Sequence, residues 1–252
     1  MWNANLYDDF SKERRQPSLD LVSRLNGRGF KRILDVGCGS GMSTSALVSA
    51  FGEAEITGVD LSENMIEAAR KALPHVTFIQ RDCENSAADL GKFDLIFSNA
   101  FMQWLDNQKN FIESSFKMLN ENGVFAAQVP LSHLMPSRKC MDEAICALPE
   151  SVRKTERKST YLSAEFYYDV LSKLTDKLQI WVTDYYHIMN GHEDILNFFR
   201  GTALNPYTEK LDEKEQKVFF DRVLENLKKA YPAQDNGKIL FQFKRLFMIA
   251  EK

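Results

Sequence analysis

Asp35 stands two residues ahead of the run Gly37-Cys38-Gly39-Ser40-Gly41, and Ser43-Thr44-Ser45 follow the last glycine. A carboxylate, three alternate glycines and a cluster of hydroxyls in so short a stretch make a ligand cradle. The glycines let the main chain turn sharply and let a ligand reach bare backbone. The helix start behind them offers N–H groups that the helix itself leaves unsatisfied. The carboxylate restricts the ligand, because it repels a diphosphate and welcomes positive charge. Asp60, Asp82 and Asn99 each stand where a later apolar run ends.

Those positions make sense only if the runs before them are strands. The strands expected are Arg32–Val36, Ala54–Val59, Val76–Gln80, Phe93–Ser98 and Val124–Val129. Helices are expected between them over Met42–Phe51, Glu63–Leu73 and Gln108–Leu119, with Ser62 as an N-cap and Asn122-Gly123 closing the third. Alternating β and α implies an α/β fold, a doubly wound and mostly parallel sheet. Right-handed crossovers then open the ligand crevice at the carboxyl ends of the strands, where Asp35, Asp60, Asp82 and Asn99 lie. Ahead of the first strand, Leu19, Leu21, Val22 and Leu25 follow Pro17 at helical spacing and predict a helix that ends near Asn26-Gly27. The aromatic arm before it either packs on the domain or folds over a pocket, and the residues leave both readings open. After Pro130, helices are expected over Met135–Leu148, Ala164–Leu174, Glu193–Arg200 and Glu213–Tyr231. Strands are expected over Leu178–Met189 and Gly237–Ala250. The stripe Phe219, Phe220, Val223, Leu224 and Leu227 reads as core packing. One domain over 1–252 is expected, with an arm and helix at 1–30, a cofactor-binding core at 31–130 and a substrate half at 131–252. Its helical insert, 191–236, is read as a lid.

The composition fits that organisation. The 252 residues are 44% hydrophobic and 27% charged, and the net charge of −3 gives no reason to expect a nucleic-acid surface. No apolar run reaches the roughly 18 residues of a membrane helix, and Met1-Trp2-Asn3-Ala4-Asn5 lacks the features of a signal peptide. Cys38, Cys83, Cys140 and Cys146 form no C-x-x-C pair, so no metal site is expected. Reduced thiols in a cytoplasmic protein are expected instead. Cys38 is read as a small residue that fits the turn.

Asp60 lies nineteen positions beyond Gly41 (60 − 41), the place for a carboxylate that accepts from both ribose hydroxyls of an adenosine ligand. A nicotinamide dinucleotide and S-adenosylmethionine both fit that observation. The loop separates them. A dinucleotide site wants G-x-G-x-x-G, whereas this chain has G-x-G-x-G with an aspartate upstream. Asp35 suits the ammonium of a methionine moiety, and the sulfonium suits an acidic crevice with aromatic faces nearby. At the third strand's end, Asp82 is placed to accept from the adenine amine and the Cys83 N–H to donate to the ring. A dehydrogenase would also need a hydride-transfer site, and none is evident.

The stretches Ile33–Gly41, Gly58-Val59-Asp60-Leu61-Ser62-Glu63-Asn64-Met65 and Phe93-Asp94-Leu95-Ile96-Phe97-Ser98-Asn99-Ala100 resemble the motifs of class I S-adenosylmethionine-dependent methyltransferases. Nearly end to end, the chain is similar to the trans-aconitate 2-methyltransferase family. The similar pieces include Trp2-Asn3, Leu6-Tyr7, Glu13-Arg14, Gln103-Trp104-Leu105, Tyr167-Tyr168-Asp169, Tyr185-Tyr186-His187, Gly201-Thr202, Tyr231-Pro232 and Arg245-Leu246-Phe247. The resemblance implies a Rossmann-like sheet of seven strands with a helical lid. It also implies methyl transfer to one carboxylate of a small polycarboxylic acid, giving a methyl ester and S-adenosylhomocysteine. Arg14, Leu61, Met65, Ala100 and Trp104 join Asp35, Gly37, Cys38, Gly39, Gly41, Asp60, Asp82, Cys83 and Asn99 as expected cofactor contacts. For the acid it implies Trp2, Tyr7, Trp104, Tyr186, His187, Arg200 and Arg245, with Trp104 and His187 positioning the acid.

No catalytic base is expected, because a carboxylate of pKa about 4 is already ionised at neutral pH. The work left to the protein is alignment and exclusion of water. Arg245, between Phe243 and Leu246-Phe247 on an expected strand, needs an anion or a wet cleft. The chain departs from the family at three places. Asn205 precedes Pro206-Tyr207 and Gln16 precedes Pro17 where the family has Arg, and Lys244 replaces a Pro. Losing an Arg at 205 removes one fork for a carboxylate. Two alternatives remain: a malonyl-carrier-protein methyltransferase, for which the cluster Arg153-Lys154-Arg157-Lys158 would be the basic docking face, and a protein that binds S-adenosylmethionine without turnover.

Overall fold

The computed structural model describes residues 10–83, 88–154 and 159–252. Seven strands form one mixed sheet: β1 Arg32–Val36, β2 Glu55–Asp60, β3 Thr77–Gln80, β4 Phe93–Asn99, β5 Leu119–Pro130, β6 Leu178–Met189 and β7 Ile239–Glu251. Their order is β3-β2-β1-β4-β5-β7-β6. β1 pairs in parallel with β2 and β4, as do β2 with β3 and β4 with β5, whereas β7 runs antiparallel to β5. The order reverses between β1 and β4, the switch point at which a doubly wound sheet opens its crevice. The helices are α1 Ser11–Ser23, α2 Met42–Ala50, α3 Glu63–Ala72, α4 Gln108–Met118, α5 Pro136–Cys146, α6 Glu150–Arg153, α7 Ala164–Leu171, α8 His192–Arg200, α9 Asn205–Thr208 and α10 Glu213–Ala230. Among the described residues no helix is long and apolar enough to cross a membrane.

The chain divides into two compact units. The larger comprises 14–130, 159–183 and 245–252, and the smaller, among described residues, 10–13, 131–154 and 184–244. In the larger unit Ile33, Leu34, Leu95, Ile96, Phe97, Val124 and Phe125 are buried, the near-continuous apolar runs of parallel strands covered on both faces. α4 lays Phe111 and Phe116 against Phe125 at centroid distances of 6.3 and 6.1 Å. The smaller unit is built on rings. Phe198 and Phe199 of α8 meet Phe241 of β7 at 5.6 and 5.7 Å. α10 adds Phe219, Val223 and Leu227, with Phe220 and Leu224 partly buried beside them. Its start is held by a capping box, in which Asp212 accepts from the Glu215 N–H and Glu215 from the Asp212 N–H.

Two expectations are corrected. The first helix does not begin after Pro17: it begins at Ser11 and runs through the proline. Only the bond from residue 17 back to residue 13 is lost, and the buried side chains of Leu21, Val22 and Leu25 hold the segment. Asn122-Gly123 does not close α4. That helix ends at Met118, Leu119 already pairs with Phe93, and β5 absorbs the turn residues as an irregularity, with Asn122 at φ 61° and a register shift between Phe93 and Leu95.

Candidate functional site

Asp35 is fully buried. Its Oδ2 accepts from the hydroxyls of Ser43 at 2.8 Å and Thr44 at 2.7 Å, both buried in the first turn of α2. Those hydroxyls therefore hold the helix start to β1 and do not face a ligand. Oδ1 meets no hydrogen-bond donor among the described residues. Burial lifts the carboxyl to about 6, against the two hydroxyl bonds that lower it and with the charge of Asp60 adding to the rise. An orphaned carboxylate oxygen at such a depth is costly unless a donor or cation meets it. That is the property a site for an ammonium group needs.

The loop after β1 keeps Gly37, Gly39 and Gly41 at φ 73°, 54° and 90°, all left-handed. At Gly37 a Cβ would also collide with Cγ and Cδ2 of Phe101, so the turn and the β4 end press directly together. Four of the loop's own N–H groups are turned inward. Gly37 and Cys38 donate to the Val59 carbonyl at 2.8 and 3.0 Å, and Gly41 donates to Cys38 at 3.0 Å. Gly39 donates to Oδ2 of Asp60 at 3.0 Å, and the Ser62 N–H donates to Oδ1 at 2.9 Å. The Ser62 side chain makes no cap bond to α3; the Asp60 carboxylate orders that turn instead. With one lone pair on each oxygen committed, Asp60 is fixed in orientation and keeps acceptor capacity on both oxygens for a diol. Cys38 packs with Ile66, Ala69 and Phe78, and burial pushes its thiol far up. The absence of a side chain at Gly58 makes room for it, since a Cβ there would lie 2.6 Å from Phe78 and 3.1 Å from the Cys38 Sγ.

At the β3 end, Arg81 donates its N–H to the Asp60 carbonyl at 2.8 Å, and Gln80 Nε2 donates to the Leu61 carbonyl at 3.2 Å. These bonds tie the ends of β2 and β3 together. Leu61 is 62% exposed, an apolar side chain left without a cover beside Asp60, and Met65 is half-buried on α3. Asp82 is exposed; Cys83 is buried, and its thiol is pushed up to about 12 by desolvation. Arg14 lies half-buried on α1.

Sequence reasoning missed Gln128, which organises the β4 end. It is fully buried on β5 opposite Asn99. Its backbone carbonyl accepts from the Ala100 N–H at 2.9 Å, its Nε2 donates to Asn99 Oδ1 at 2.9 Å, and its Oε1 accepts from Arg245 at 3.0 Å. Ala100 sits at φ 55°, and its carbonyl accepts from Gln103 Nε2 at 2.6 Å. Trp104 follows, half-buried on a short 3-10 turn over 102–104. The one available signal was an amide inside the apolar run Val124–Val129. Arg245 is 6% exposed, so its answer to burial includes the Gln128 amide.

In the smaller unit the expected acid-binding residues separate. Strand alternation puts Tyr186 and His187 on opposite faces of β6, so they do not line one pocket wall together. Tyr186 is 60% exposed. His187 stacks on Tyr185 at 6.2 Å and packs beside Phe198, Phe241 and Phe243. The guanidinium of Arg200 lies 4.2 Å from the centroid of Phe220. Trp2 and Tyr7 lie outside the described residues. Of the departures, Gln16 bonds Asp20 at 2.7 Å, Asn205 bonds Glu209 at 3.2 Å and Lys244 bonds Asp184 at 2.7 Å. In the basic cluster, Lys154 pairs with Glu150 at 2.7 Å, and Arg157 and Lys158 lie outside the described residues.

A methyltransferase domain model matches residues 33–123, which span β1 to the start of β5. The trans-aconitate 2-methyltransferase of Escherichia coli O157:H7 is 38% identical over 251 residues, covering 100% of this chain and 98% of that protein. Among solved structures, the YcgJ protein of Bacillus subtilis aligns with a TM-score of 0.64 at 16% identity, over 94% of this chain and 98% of that one. The plantazolicin methyltransferase BpumL in complex with SAH aligns with a TM-score of 0.54 at 16% identity, over 99% and 88%. With that identity held from one end to the other, the chain belongs to the trans-aconitate 2-methyltransferase family.

Proposed function

We propose that this protein transfers the methyl group of S-adenosylmethionine to one carboxylate of trans-aconitate, releasing the methyl ester and S-adenosylhomocysteine. The observation that carries the reading is that the 38% identity to a protein of that name runs through both units and is not confined to the cofactor motifs. The strand-end geometry supports it. Asp60, held by Gly39 and Ser62, keeps an acceptor site on each oxygen, which suits the two ribose hydroxyls. The orphaned Oδ1 of Asp35 suits the methionine ammonium. Asp82 and the Cys83 N–H are assigned to the adenine edge, Leu61 and Met65 to its apolar faces. Arg14, Ala100 and Trp104 complete the cofactor assignment.

When bound, S-adenosylmethionine supplies an electrophilic methyl group on a sulfonium that leaves as a neutral thioether. The acid reacts as its carboxylate, so no residue of this chain has to remove a proton. The protein's contribution is to bind, to orient and to keep water away from the anion. Such a cofactor also fits a cytoplasmic location, as do the four free cysteines.

The test is methyl transfer from radiolabelled S-adenosylmethionine to a panel of acids. A labelled ester with trans-aconitate, exceeding that with isopropylmalate and with a malonyl thioester, is the expected result. Turnover of the malonyl thioester alone, or of no acid, would overturn the reading.

A further inference from the structure

We propose that Asn99, expected from the sequence at the cofactor, is instead the amide that receives the acid, and that Gln128 and Arg245 set which end of the amide it presents. This rests on the reading of the strand-end crevice as a methyltransferase site, and goes beyond it by assigning a residue and a polarity. The guanidinium of Arg245 has donors and no acceptor. The atom of Gln128 that meets it at 3.0 Å must therefore be the amide oxygen. The other end of Gln128, which meets Asn99 at 2.9 Å, must then be the NH₂, a donor only. Asn99 has no choice but to answer with its oxygen, and its own NH₂ is turned away from Gln128. Among the described residues that NH₂ has no hydrogen-bond partner.

The relay is rigid at each link. Gln128 is fully buried and Arg245 is 6% exposed. The Ala100 N–H is held by the Gln128 carbonyl, while Gln103 holds the Ala100 carbonyl, so the backbone beside Asn99 is gripped from both sides. Asn99 ends β4 at the switch point, and the neighbouring Phe101 ring abuts Gly37 of the cofactor loop. A positive charge thus acts on the crevice at one remove, through two oriented amides that end in N–H donors. Such donors suit a carboxylate and grip it more weakly than a guanidinium fork would. That matters for a nucleophile, since a strong clamp on the attacking oxygen would lower its reactivity. The rival acceptor of the same chemistry is the methionine carboxylate of the cofactor, and the experiment separates the two.

Gln128→Glu is nearly isosteric and accepts from Arg245 as the glutamine does, but it has no donor for Asn99. The Asn99 amide must then invert and turn its oxygen toward the acid. Calorimetry with the full chain saturated with S-adenosylhomocysteine measures trans-aconitate binding, and a separate titration measures the cofactor product. The expected result is a loss of acid affinity of about ten- to a hundredfold with S-adenosylhomocysteine affinity within about twofold of wild type. Asn99→Asp leaves Gln128 and Arg245 in place, turns an acceptor toward the acid and should produce a loss at least as large. It carries the test if the buried variant does not fold. Gln128→Glu placed in an Asn99→Ala background should add little, the sign of action through Asn99 and not through the fold. Unchanged acid affinity in both single variants would overturn the proposal while leaving the methyltransferase reading intact. A fall in S-adenosylhomocysteine affinity in place of acid affinity would overturn it in favour of the cofactor carboxylate. Failure of the wild-type protein to bind any carboxylate would remove the methyltransferase reading and this assignment together.

Discussion

The two units treat their polar residues in opposite ways. In the larger unit, Asp35, Asp60 and Asn99 are held by hydrogen bonds from backbone or from neighbouring side chains, and each keeps capacity for something more. In the smaller unit, His187 and Arg200 lie against aromatic rings, and the packing that holds them also covers their faces. A functional side chain is thus marked less by its type than by what remains after its structural bonds are counted. Asp35 has one oxygen satisfied and one orphaned.

The contrast is sharpest at Asp60, where the largest effect is expected. Asp60→Ala removes the diol acceptor and leaves the Gly39 and Ser62 N–H groups without their partner. S-adenosylhomocysteine affinity by calorimetry should fall about a hundredfold or more. Near-normal affinity would break the assignment. Next is Gly37→Ala, which drives a methyl into the base of the Phe101 side chain at a left-handed φ. A loss of about 2–4 kcal/mol in denaturant unfolding is expected. A loss under about 1 kcal/mol would mean that the β4 end yields easily, which the gripped Ala100 argues against.

Asp35 makes the protein's stability depend on pH. Its folded pKa of about 6 lies above the ordinary value of 3.8, so between these values the folded protein holds a proton that the unfolded chain releases. Stability from this group therefore falls as pH rises from 3.8 to 6 and is flat above. Asp35→Asn lifts that cost and should raise stability at pH 7 by at most about 3 kcal/mol, less what the Ser43 and Thr44 bonds lose. A clear fall in Tm at pH 7 would show that those two bonds outweigh the buried charge. The smallest effect is expected in the other unit. His187→Phe keeps the stacking and should change stability by about 1 kcal/mol or less, with acid affinity unchanged. A large loss of acid affinity at preserved stability would show that His187 touches the acid.

Much of the larger unit could be read from its sequence because its signals are local. β1 has the limits that its apolar run predicts, and the strand-end acids fall where a doubly wound sheet needs them. Gln128 escaped because what makes it important is three-dimensional: Asn99 and Arg245, its partners, are 29 and 117 residues away. Pro17 misled because a proline is a good helix start, and nothing local says that a buried face will carry the helix through it. Tyr186 and His187 are a different case. A strand's period of two forbids adjacent residues from sharing a wall, so the pair was separable from the sequence alone.

Recognition of a cationic cofactor by the buried Asp35 is the claim on which the site rests, and the pH dependence of S-adenosylhomocysteine binding tests it most directly. Calorimetry on the wild-type protein from pH 5 to 7.5 should show affinity about tenfold weaker at pH 5 than at pH 7, because a group with a pKa of about 6 is mostly protonated at the lower value. Asp35→Asn should bind weakly and show no such slope. The same slope in wild type and variant would contradict the account.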